Sequence, residues 1–167
     1  PRPEPEPSRP KIPTTSPALI VRSTLSTIGG RPAVRLTGVG KGDSHGGTRF
    51  LHGGVNRPGD MVVRQAIPLD GFTTNELEGA VLESGAWLRN WYGPGVFDDQ
   101  VFHRVAFVDA AGREISSVRS MVAADSVWLE RNLTAVVPPG TRRLHLEVVG
   151  RHRRDADNDS MADDVDV

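Results

Sequence analysis

The sequence predicts an all-β protein, an antiparallel sandwich or jelly roll of roughly eight to ten short strands. Three observations carry that prediction. Apolar and polar residues alternate at period two in several stretches, most clearly from Gln100 to Asp109 and from Leu144 to Val148. Turn residues recur at short intervals, supplied by 18 glycines and 13 prolines. No long apolar stripe at helical period is present. The chain of 167 residues suffices for one domain with a real core and is too short for two large ones.

Residues 1 to 17 hold seven of the prolines, with charges interleaved in Pro1-Arg2-Pro3-Glu4-Pro5-Glu6-Pro7. Such a segment buries too little to fold and is expected to be an extended linker or arm, with the sandwich occupying 18 to 167. Ala18 to Thr27 reads as a strand, Gly29-Gly30 as a turn and Ala33 to Thr37 as a second strand. Gly38 to Gly47 is a polar loop, and Arg49 to Gly54 is a short strand ending in two glycines. Met61 to Leu69 alternates Val63, Gln65, Ile67 and Leu69 against Val62, Arg64 and Ala66. Thr73 to Leu88 is read as a turn followed by a strand, although Leu77, Ala80 and Val81 also fit one helical turn. Trp87 to Asp99 is expected to be a loop. Asp109 to Glu114 makes a hairpin turn into Ile115 to Val118, and Val127 to Val137 supplies another strand. A closing hairpin runs from Pro138 to Val167.

The composition narrows the function classes. A net charge of -1 offers nucleic acid no overall attraction, and the basic cluster Arg151 to Arg154 is followed at once by acids. No apolar run approaches the ~18 residues of a membrane span. Cysteine is absent, so disulfides and thiol chemistry are excluded. The chain opens on Pro1 without a methionine, and it is expected to be a mature product or an excised piece. The five histidines lack zinc-ligand spacing, and no nucleophile elbow, phosphate loop or dinucleotide fingerprint occurs. Glu78 and Glu83 can be posed as a glycosidase pair, but nothing in the sequence sets them across a cleft.

Four ordered groups of segments carry a resemblance. They are Arg49-Phe50-Leu51-His52-Gly53-Gly54 with Gln65 to Leu69; Trp87-Leu88 and Trp91-Tyr92 with Asp98-Asp99-Gln100-Val101; Phe107 to Gly112; and Val137 to Arg142 with Asn158 to Val165. Together they resemble the galactose-binding-like jelly rolls found as carbohydrate-binding-module domains of secreted bacterial proteins. The resemblance spans about residues 30 to 167. It implies a non-catalytic module that binds glycans or mediates cell-surface contacts and holds a structural calcium. The first-strand motif usual in such domains is missing here. Either Ala18 to Thr27 replaces it, or the chain was processed inside the boundary and leaves a sheet edge for another chain to fill.

The candidate sites follow. Asp155, Asp157, Asp159, Asp163 and Asp166 match the acidic positions of a calcium-binding loop, although Ser160 stands where the sharp turn wants glycine. The resemblance instead implies calcium held by some of Asp157, Asp159, Asp163 and Asp164. A solvated acidic loop paired with Arg151, Arg153 and Arg154 is the third reading. Strand parity sets Met161, Asp163, Val165 and Val167 on one face, which turns the Asp163 carboxylate toward the core and calls for a counter-charge. That charge is calcium or an arginine from among Arg131, Arg104 and Arg89, with Asp98 and Asp99 sharing it. Trp87, Trp91, Tyr92 and Phe97 crowd near Gly93-Pro94-Gly95, with Trp87 read as a core plug. Aromatic faces stack on sugar rings while acids take the hydroxyls, so Trp91, Tyr92, Asp98, Asp99 and Arg131 form the expected carbohydrate contact.

The expected function is therefore an exported bacterial, calcium-stabilised, lectin-like module at the cell surface that binds carbohydrate and catalyses nothing. The rival is a structural or adhesive subunit whose arm, residues 1 to 27, packs on an identical neighbour. A glycoside hydrolase is the weaker third.

Overall fold

The computed structural model describes residues 18–19, 45, 50–54, 59–91, 99–153 and 157–166. Nine strands and one short helix lie among them: β1 (Ala18–Leu19), β2 (Leu51–Gly54), β3 (Met61–Pro68), α1 (Thr74–Leu77), β4 (Val81–Asn90), β5 (Gln100–Val108), β6 (Glu114–Arg119), β7 (Leu129–Val136), β8 (Arg143–Arg151) and β9 (Asn158–Asp166). They form two sheets. Sheet I runs β1-β4-β9-β2 with β7 paired to β4, and sheet II runs β3-β8-β5-β6. All pairings are antiparallel except the parallel contact of β1 with β4. The all-β sandwich predicted from period-two patterning is the architecture observed.

The pattern works because each strand offers one apolar face to the opposing sheet. In β4, Leu82, Ser84, Ala86 and Leu88 are buried, while Val81, Glu83, Gly85, Trp87 and Arg89 face outward. In β8, Leu144 and Leu146 are buried with Ile67, Val105 and Phe107, and Val148 with Met61, Val63 and Leu88. Each such Leu or Phe contributes ~2 kcal/mol through burial, so no single strand holds the sandwich together. β5 is buried on both faces, since Phe102, Ala106 and Val108 are also covered. The β5–β6 hairpin turns where the sequence placed it. Asp109 Oδ1 accepts from the amides of Ala111 and Arg113, and Gly112 adopts a φ of 81°, a conformation that favours glycine.

Three segments differ from expectation. Thr73 to Leu77 is a helical turn, closed by a capping box in which Glu76 reaches back to the Thr73 amide and the Thr73 hydroxyl accepts from the Glu76 amide. The Thr73-x-x-Glu76 spacing encodes this capping box, so the stretch expected as a plain turn is one helical turn. β4 continues through Trp87 to Asn90, because its pairing to β7 persists to Leu88 and its pairing to β9 to Asn90. Finally, β9 begins at Asn158 and carries a bulge: Gly85 pairs with Asp166 but Trp87 pairs with Asp163, so three steps on β9 span two on β4. Asp164 takes a φ of 44° there.

At the N-terminus, Ala18 and Leu19 pair with Val81 and Leu82 of this chain's own β4. The strand expected at Ala33 to Thr37 lies outside the described residues.

Candidate functional site

The outward face of sheet I is where the aromatic residues meet. Strand alternation directs Trp87 and Arg89 of β4 away from the core, and the pairing register adds neighbours to each. Trp87 has Asp163 of β9 on one side and Glu130 of β7 on the other, so an indole lies between two carboxylate-bearing residues in one row. Trp128, just before β7, and Trp91, just after β4, complete the set. All three tryptophans of the chain are half-buried on this side of the molecule.

Arg89 connects two of them. Its guanidinium carbon lies 5.8 Å from the ring centre of Trp91 and 5.3 Å from that of Trp128. Both distances are within reach of cation–π attraction. His45 stacks on Trp87 with ring centres 3.6 Å apart and planes inclined by 12°. The same imidazole meets the edge of Trp128 at 6.3 Å, and its Nδ1 lies 3.0 Å from Asp164 Oδ2. Phe50, buried at the start of β2, packs edge-on against both Trp128 and His52. The result is a continuous aromatic band with a cation inside it and acids beside it.

A second cluster anchors the band from below. Asp99 is fully buried, and its carboxylate accepts from the backbone amides of Arg153 at 2.7 Å and Asp159 at 2.9 Å. Its carbonyl takes the side-chain amide of Asn90 at 2.5 Å, and the Trp91 amide donates to the Asp159 carbonyl. Buried Asn158 donates to the carbonyls of Gly59 and Gly150. These bonds tie the end of β4, the start of β5 and the start of β9 together. Trp91 therefore stands on a rigid base.

The expected site residues separate. Trp91 lies on the aromatic face, while Tyr92 and Asp98 fall outside the described residues. Asp99 belongs to the buried anchor, with both carboxylate oxygens taken by backbone amides. Arg131 lies opposite Ala86 on the core side of β7. Asp163 lies opposite Trp87 on the outer side, so Arg131 cannot be its counter-ion. Arg104 is committed to sheet II. The inward placement of Asp163 is corrected by the register: Ala162 pairs with Leu88 and packs in the core, Asp163 pairs with outward Trp87, and the bulge at Asp164 lets Val165 turn back to the core.

Asp159, Asp163 and Asp164 are strung along the extended strand Asn158–Asp166 with Asp157 just before it, while Asp155, the first position of the loop template, lies outside the described residues. Among the described residues, no three acid or histidine side chains gather as a metal would require. Glu78 caps α1 and Glu83 faces outward opposite Thr134, so they do not form a pair across a cleft. Trp87 is an outer-face residue, not a core plug.

Reasoning from sequence missed His45, Trp128 and Glu130, and weighed Arg89 only as a counter-ion. Trp87, Arg89 and Trp91 at i, i+2 and i+4 would have shown a shared strand face had β4 been extended past Leu88. Nothing local linked Trp128, 37 positions after Trp91, to that face.

No family model and no curated protein matches the chain. Solved structures match at the level of fold. A family 61 carbohydrate-binding module, TmCBM61 in complex with β-1,4-galactotriose, aligns at a TM-score of 0.53 and 17% identity over 84% of this chain and 85% of its own. A family 16 carbohydrate-binding module aligns at 0.46 and 18% identity over 74% of this chain and 78% of its own. The enzymatically active domain of the bacteriophage CBA120 tailspike protein 4 aligns at 0.44 and 15% identity over 64% of this chain. This chain spans only 13% of that tailspike chain. The two antiparallel sheets and the 0.53 alignment with TmCBM61 identify the fold as the jelly-roll β-sandwich seen in that carbohydrate-binding module.

Proposed function

We propose that this protein is a non-catalytic glycan-binding module of an exported protein, and that it binds sugar on the outward face of sheet I. The observation that carries the proposal is the convergence of Trp87, Trp91 and Trp128 on one sheet face, with Arg89 between two of them and Asp163 and Glu130 flanking the third. An indole face matches the apolar C–H face of a pyranose, and carboxylate and guanidinium groups at its rim accept from and donate to the hydroxyls. The fold shared with a module solved with β-1,4-galactotriose supports the class of ligand.

Trp87 carries His45 on its ring, so Trp91 and Trp128 offer the stacking surfaces and the Trp87 row supplies the acids. A flat half-buried face of this kind buries little of a free sugar. Affinity for short oligosaccharides is therefore weak, and tandem or repeated display supplies avidity.

The test is titration of the full chain with neutral β-linked oligosaccharides, β-1,4-galactan fragments included, followed by Trp128→Ala and Trp91→Ala. Each substitution should weaken binding by about tenfold, the value of one stacked aromatic contact. Unchanged affinity in both variants would remove sheet I from consideration.

A further inference from the structure

The outward face of sheet II has the opposite electrostatic character. Its register sets Arg64, Glu147, Arg104 and Arg119 side by side across four strands, with Arg151 and Arg143 toward the two ends of β8. Glu147 is shared: Oε1 accepts from Arg64 at 2.6 Å and Oε2 from Arg104 at 2.7 Å. Arg104 also pairs with Glu114. Five arginines thus face two carboxylates. Arg119, Arg143 and Arg151 are exposed and form no ion pair among the described residues.

Two of those three converge on one ring. The guanidinium carbons of Arg119 and Arg151 lie 5.2 Å and 5.5 Å from the centre of Phe102, which is left only 4% exposed. Arg153 donates to Gln100, the register partner of Arg151, and brings a third cation to the same corner. The ring attracts each guanidinium, yet the cations repel one another. An anion bound between them removes that repulsion and gains charge-assisted hydrogen bonds from both. We propose that this face binds an acidic polysaccharide, with Arg119 and Arg151 gripping a carboxylate or sulfate ester above Phe102.

The spacing of charge favours a glycan over nucleic acid. Arg151 and Arg143 stand eight residues apart on β8, roughly 27 Å, with Glu147 midway between them. Duplex DNA carries a charge every ~1.7 Å and would lay phosphates on exposed Glu114 and along the middle of β8, where Arg64 and Arg104 are already neutralised by buried Glu147. A glycan acidic at only some of its sugars places anions at Arg119, Arg143 and Arg151 and neutral sugar over the paired stretch between them.

The experiment compares dextran sulfate, polygalacturonate, uncharged dextran and duplex DNA on the full chain at low salt. Both acidic polysaccharides should bind more tightly than dextran and DNA, with affinity falling steeply as salt rises. The double variant Arg119→Gln, Arg151→Gln should lose about tenfold or more for the acidic polymers while its unfolding midpoint holds. Should that variant unfold, exposed Arg143→Gln gives the second reading, with a severalfold loss expected. The proposal is overturned by equal binding of dextran and dextran sulfate, by tighter binding of DNA, or by folded arginine variants that bind as the parent does. The neutral-sugar face lies on the other sheet, so failure of one surface leaves the other measurable.

Discussion

Replacing Asp99 by alanine separates an anchoring carboxylate from a sugar-binding one. In the folded chain its two oxygens accept from the amides of Arg153 and Asp159, and the residue has no exposed surface. Alanine leaves two backbone donors unsatisfied in or beside the core, at ~1–3 kcal/mol each. Partial entry of water lowers the sum, and ~3 kcal/mol is the expected loss. For a chain of this size that shifts the thermal midpoint down by roughly 10 °C. Urea unfolding followed by tryptophan fluorescence measures it, with the slope unchanged between parent and variant. Asp99→Asn, which keeps one acceptor oxygen, should recover part of the loss. A cost below ~1 kcal/mol together with lost affinity for neutral sugar would refute the reasoning and return Asp99 to the ligand-binding role that the sequence suggested.

Four further outcomes follow from the same geometry. Gly150→Ala would bring a Cβ to 2.6 Å from the Ser160 Cβ, so it should cost ~2 kcal/mol by chemical denaturation, and adding Ser160→Gly should restore most of it. Glu147→Ala removes the acid of Arg64 and one of the two acids of Arg104 and should cost ~2 kcal/mol in the same assay, since both guanidiniums keep partial access to water and Arg104 keeps Glu114; Glu147→Gln should cost less. Burial, and then the Arg64 charge, hold the His145 pKa below its usual 6.5. The unfolded chain therefore takes the proton first, and the stability present above pH 6.5 is lost as pH falls through the folded value; His145→Gln should flatten that part of the stability–pH curve. Asp163→Ala, at a half-buried outward position, should cost under ~1 kcal/mol in chelator. Calcium bound only by the native state would raise the melting temperature and the substitution would abolish the rise, so a scan with each reads out directly whether Asp163 is a ligand.

Local chemistry made much of this protein legible. Period-two alternation in Gln100 to Asp109 and Leu144 to Val148 identified strands, and Asp109 to Gly112 identified a hairpin turn, because both depend on residues adjacent in sequence. The aromatic segment around Trp91 was marked by composition alone. Tertiary structure decided the rest. The bulge at Asp164 reversed the face of Asp163, since one extra residue inverts a period of two and only pairing with β4 reveals it. Arg131, one of three arginines that the sequence offers as a counter-ion to Asp163, lies on the other side of its sheet, because counting along one strand says nothing of the register with the next. His45 stacked on Trp87 across 42 positions of chain, Trp128 met Arg89 across 39, and Arg119 and Arg151 reached Phe102 from 17 and 49 positions away. A strand carries its own alternation; which strands lie beside it, and so which charges and rings share a face, is settled only when the sheets pair and close over the core.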